Sequence, residues 1–105
     1  MSDESGMGSI ADRVLFENEQ VRIWEMDLQP GESSPEHHHD NDYIVILIAG
    51  DRVGVRPAPG SKDDHEGYHE AEVTPGRTAF IPAGGTETAI NVGTVPYKDI
   101  EIELL

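Results

Sequence analysis

The chain contains no cysteine. That absence excludes disulfides, thiolate nucleophiles and Cys-based zinc or iron–sulfur sites together, so any metal must be held by imidazole, carboxylate or phenolate. Cations are scarce: seven Lys and Arg residues, with Lys62 and Lys98 the two lysines, stand against 21 acids and leave a formal charge of −14. A field of that sign repels nucleic acid and anionic membrane surfaces, and neither is expected as a partner. The same acidic excess also suits a salt-rich habitat. No apolar run approaches the roughly 20 residues of a membrane span. The first ten residues lack the basic and apolar regions of a secretory signal, so a soluble, cytoplasmic protein is expected. No window of useful length repeats its apolar residues at helical spacing.

What is present is a series of short apolar segments cut by turns. Eleven glycines, seven prolines and 36% hydrophobic residues in 105 positions suit one small, turn-rich domain. Residues 1–10 are small, acidic and glycine-containing and read as a flexible arm; residues 11–105 read as the domain. Strands are predicted at Arg13–Glu17, Gln20–Leu28, Tyr43–Ile48, Arg52–Arg56, His69–Val73, Thr78–Ile81 and Thr86–Val92, with a cleanly alternating, half-exposed strand from Asp99. In the second of these, Val21 and Ile23 share one face, while Trp24, Met26 and Leu28 share the other. That change of phase predicts a bulge near Ile23. Residues 57–67 read as a long exposed loop. The fold class is all-β, a sandwich or small barrel.

His37-His38-His39 leads into the apolar strand that begins at Tyr43. Side chains at i and i+2 of an extended chain point to one face, so His37 and His39 converge while His38 looks away. Two imidazoles on one rigid face begin a metal site.

The pattern Gly31-x5-His37-x-His39, running through Tyr43 to Gly50, resembles the first signature of the cupin superfamily. Gly76-x5-Pro82-x-Gly84-x2-Glu87-x3-Asn91 resembles the second. Asp42-Tyr43 after the histidine pair is similar to a subgroup of short bacterial cupins. The resemblance implies a cupin-type jelly-roll barrel with a metal near its centre, often dimeric. Edge strands needing cover also favour a homodimer. The family's usual ligands are two histidines and a glutamate from the first motif and a histidine from the second. Here the glutamate position holds Tyr43 and the second histidine position holds Glu87. Two histidines and one carboxylate nevertheless form the facial set that leaves open positions on a divalent metal. One divalent transition metal is therefore expected on His37, His39 and Glu87. The set does not choose among Fe, Mn, Ni, Zn and Cu, with Fe(II) first in line. Glu87 and Tyr43 are the candidate catalytic groups, Tyr43 through its hydroxyl or else as a core aromatic. Ala89 and Asn91 share the face of Glu87, and the small alanine leaves room for a ligand. Asp42 is expected to face away in a structural role.

Three readings follow. One is a mononuclear-metal enzyme of oxidoreductase or isomerase type, with dioxygenase-like or isomerase-like chemistry on a small molecule. Another is a non-catalytic small-molecule binding or sensor barrel, and the third a metal-free cupin. His65-Glu66-Gly67-Tyr68-His69 also fits H-E-x-x-H, but that zinc motif needs a helix. On a strand, histidines four apart stand ~13 Å from one another. His69 alone shares parity with Ala71 and Val73, so it is a candidate extra imidazole or cavity wall. Ser33 and Ser34 lack the context of a nucleophile. Arg22, Arg56 and Arg77 are scattered cations, any one of which could anchor a carboxylate substrate.

Overall fold

A computed structural model describes residues 10–61 and 67–105. The arm expected at the N-terminus, residues 1–9 of it, lies outside the described residues, as do Lys62 and His65-Glu66 of the H-E-x-x-H match. The described chain is all-β: β1 (Arg13–Glu17), β2 (Val21–Leu28), β3 (His37–His38), β4 (Tyr43–Ala49), β5 (Arg52–Pro57), β6 (His69–Glu72), β7 (Thr78–Ile81), β8 (Thr86–Asn91) and β9 (Tyr97–Leu104). No helix of the described residues is long and apolar enough to cross a membrane. All strand pairs are antiparallel. They make a five-stranded sheet, β1-β2-β9-β4-β7, and a four-stranded sheet, β3-β8-β5-β6. The sheets stack as a jelly-roll sandwich, and neither closes on itself.

Turn chemistry places the strand ends. Gly31, Gly50, Gly76 and Gly84 all take positive φ, where L side chains are strained. Gly31 and Gly76 follow prolines, and Gly50 and Gly84 follow alanines, at the turns these residues mark. Gly93 is needed for a different reason. A Cβ there would collide with the Asp51 carboxylate, which accepts from the Thr94 amide and hydroxyl, the latter at 2.7 Å. Gly93→Ala is accordingly expected to cost about 2 kcal/mol by overpacking, read as a lower urea midpoint.

β2 corrects the expected bulge at Ile23. It pairs with β9 without interruption from Val21↔Leu104 to Leu28↔Tyr97. The irregularity lies on β1, where Val14 pairs with Trp24 but Phe16 pairs with Ile23. The phase change in β2 arises because its first half is apolar on one face, at Val21 and Ile23, and its second half on the other, at Trp24, Met26 and Leu28. Met26 and Leu28 enter the core, whereas Val21 and Ile23 join the outer surface of the sheet.

That outer surface is largely apolar. Phe16, Ile23, Ile102, Ile44 and Phe80 are successive cross-strand neighbours on five adjacent strands. Phe16 and Phe80 are 53% and 57% exposed. Paired residues share a face, so these side chains form one stripe across the sheet. β9 is inverted relative to ordinary burial. Its acids Asp99, Glu101 and Glu103 are buried, and its aliphatic residues Ile100, Ile102 and Leu104 look outward.

Candidate metal centre

Between the sheets lies a cavity of about 370 Å³. The five-stranded sheet contributes Met26, Tyr43, Val45, Leu47, Ile81, Tyr97, Asp99 and Glu101; the other sheet contributes His37, Val53, Val55, His69, Glu87 and Ala89. The histidine pair is delivered to it by short but well-tied backbone. His37 pairs directly with Glu87 across β3 and β8. The His39 amide donates to the Gly85 carbonyl at 2.9 Å, and the Gly84 amide donates to the His39 carbonyl at 2.9 Å. The Pro82-Ala-Gly-Gly turn thus holds His39 from both sides.

One ligand atom each from His37, His39 and Glu87 lies within 4.8 Å of the others. Glu87 Oε2 is 4.0 Å from His37 Nε2 and 3.7 Å from His39 Nε2. These distances are too long for good hydrogen bonds and leave a space between the three groups. His37 and His39 are 1% and 2% exposed, and their rings meet edge to face at 4.9 Å. His37 Nδ1 lies 2.9 Å from the Pro35 carbonyl oxygen. A carbonyl only accepts, so the neutral ring carries its proton on Nδ1 and turns the Nε2 lone pair toward Glu87. This is how metal-ligating imidazoles are oriented. Burial lowers the His37 pKa against the opposing pull of that carbonyl, which keeps the ring in its ligating, neutral form. Neither nitrogen of His39 has a hydrogen-bond partner although both are buried. An orphaned buried imidazole between a second imidazole and a carboxylate fits a divalent metal.

The other sequence candidates divide. His38 is exposed, with Nδ1 2.6 Å from the Thr86 hydroxyl. Tyr43 is buried, stacks on His39 with centroids 3.9 Å apart, and lines the cavity. Asp42 is structural, accepting from the Ala83 amide at 2.8 Å. Ala89 lines the cavity beside Glu87 as expected, but Asn91 does not. Its amide bonds the Leu28 and Val95 carbonyls instead. His69 is an exposed residue of the cavity wall; it stands outside the His37–His39–Glu87 group. It lies on strand β6 rather than a helix, which removes the context that H-E-x-x-H requires. Ser34 is buried and donates to the Pro35 carbonyl while accepting from the Ala89 amide. None of Arg22, Arg56 and Arg77 lines the cavity. Arg22 pairs with Glu17 and Glu103, and Arg56 lies over the Tyr68 ring.

Sequence reasoning missed Asp99, Glu101 and Tyr97, all on β9. Tyr97 donates to Asp99 Oδ2 at 2.5 Å, and the Asp99 and Glu101 side chains hydrogen-bond to each other. Burial pushes Asp99 up to about 6. It also raises Glu101 well above the ordinary carboxylate range, reinforced by the Asp99 charge.

No protein-family model matches the sequence, and no curated protein matches it. Solved structures do. A cupin domain from Bordetella pertussis is 26% identical, with a TM-score of 0.77 over 89% of this chain and 90% of that one. An oxalate oxidase is 26% identical over 81% of this chain and 42% of that one, with a TM-score of 0.60. A sugar phosphate isomerase from a cupin superfamily, from Silicibacter pomeroyi, is 21% identical over 82% and 51%, with a TM-score of 0.58.

Proposed function

We propose that this chain, a small single-domain cupin, holds one divalent transition metal on His37, His39 and Glu87 and uses the adjoining cavity for a small molecule. The carrying observation is the convergence of those three side chains within 4.8 Å, with both His39 nitrogens unpartnered. When bound, such an ion supplies Lewis acidity at positions left open by three protein ligands. The chain's own residues do the rest. Pro35 orients His37, Tyr43 braces the His39 ring by stacking, and the aliphatic lining excludes water around the ligand. In this reading Tyr43 and Glu87 exchange a proton with it. Titration of Mn(II) into the chelator-treated full chain is expected to saturate at one ion per chain. Absence of saturable binding would sink the reading.

Oxidoreductase or isomerase chemistry is the favoured use of the site. A non-catalytic binding barrel is the second reading, favoured by the mainly apolar cavity wall. O2 uptake and turnover across a panel of small molecules, compared with binding of the same compounds, separate the two.

The stripe from Phe16 to Phe80 supports a homodimer, in which the same face of a second copy covers it. Phe80→Lys is expected to shift the chain from dimer to monomer in a sizing experiment. Wild-type protein that runs as a monomer at micromolar concentration would refute this assembly.

A further inference from the structure

We propose that Asp99 and Glu101 form a binding site for the protonated amine of a small ligand with an apolar body, on the cavity wall opposite the histidines. The three inward acids of β9 are not equivalent. Glu103 is satisfied: it accepts from Trp24 Nε1 at 3.0 Å, Arg22 Nη1 at 3.4 Å and Asn41 Nδ2 at 2.8 Å. It does not line the cavity. Asp99 and Glu101 do line it, 4% and 5% exposed, and no cation pairs with them among the described residues. Asp99 Oδ1 and Glu101 Oε1 are buried and accept from no amide, hydroxyl or ring N–H. Tyr97 donates to Asp99 through the other oxygen, Oδ2.

Two carboxyls in a low-dielectric wall carry a desolvation cost that aliphatic residues there would avoid. What they offer in return is unused acceptor capacity in the cavity wall. A primary ammonium brings three N–H donors and a positive charge, and charge-assisted bonds to a carboxylate are roughly twice as strong as neutral ones. Met26, Val45, Leu47, Val53, Val55 and Ile81 would receive the apolar body. No lysine or arginine lies among the described lining residues, so a carboxylate or phosphate would meet Glu87, Asp99 and Glu101 without a side-chain cation. This inference takes the same cavity as the small-molecule site proposed above, but it does not require the metal.

Benzylamine, benzyl alcohol and benzoate share one body and differ in the charged group. Each is to be titrated calorimetrically into the full chain, first after chelation and then with one equivalent of zinc. Benzylamine is expected to bind at least about tenfold tighter than benzyl alcohol, with benzoate weakest, because only the ammonium compensates the buried carboxyls. Asp99→Asn and Glu101→Gln keep the side-chain shape and are expected to erase most of that preference. Benzoate binding as tightly as benzylamine in the metal-free wild-type chain would overturn the proposal, whether or not the variants fold. An unchanged amine preference in both folded variants would do the same. Failure of benzylamine to bind while zinc still saturates one site would reject the amine site and leave the metal site standing.

Discussion

Glu87→Ala is expected to weaken divalent-metal binding by more than about 100-fold, beyond what loss of an orienting partner costs. Glu87 is the only carboxylate within 4.8 Å of both buried imidazoles among the described residues. Without it, two neutral ligands face the ion and the compensating charge is gone. Glu87→His behaves differently. The position stands opposite His37 in the β3–β8 ladder, so a histidine there can present a ring nitrogen to the same space. Binding is expected to stay within about tenfold of wild type, since imidazole suits most of these metals. Competition against a chromophoric chelator measures both variants. Equal affinity of wild type and Glu87→Ala would remove Glu87 from the site.

The second large effect concerns pH and the buried acids of β9. Burial pushes Asp99 up to about 6 and raises Glu101 well above its ordinary value, both above the ~4 of an unfolded carboxyl. The folded chain therefore binds more protons than the unfolded chain between those values. Stability from this source is fully present below the unfolded pKa and is lost as pH rises through the folded one, at about 1.4 kcal/mol per pH unit for each extra proton held. His37 has the opposite sense: its lowered pKa removes stability on the acid side. Glu101→Gln removes the carboxyl and leaves His37 in place, so the difference between variant and wild type isolates β9. In chelator-containing buffer, the variant is expected to gain stability on wild type as pH rises from about 5 to about 8. Urea unfolding at the two pH values measures it. A pH-independent difference would show that the pair does not retain its proton.

Much of the fold was legible because punctuation and patterning agreed. Pro30-Gly31, Gly50-Asp51, Pro75-Gly76 and Pro82-Ala-Gly mark turns, and β1 and β7 run between the residues that the alternation picked out. The site was legible for a related reason. His37 and His39 share parity on an extended chain, and Glu87 sits at the position where the resembled motif carries a ligand. What alternation alone cannot state is which face of a strand is inside. Asp99-Ile-Glu-Ile-Glu-Leu defines two faces equally well in either orientation, and burial of the aliphatic one is the ordinary outcome. Here the acids face inward, Asp99 and Glu101 onto the cavity, and Ile102 completes an outer stripe with Ile23 and Ile44. The same outer stripe explains the β2 correction, because a strand with two apolar faces mimics the phase slip of a bulge.

Metal analysis of the untagged protein, alongside His37→Ala and His39→Ala, bears most directly on the proposed centre. Wild type is expected to carry about one transition-metal ion per chain, and each variant to lose it, since two ligands alone do not complete a site. A stoichiometric ion retained by both variants would contradict the assignment of His37 and His39 as ligands.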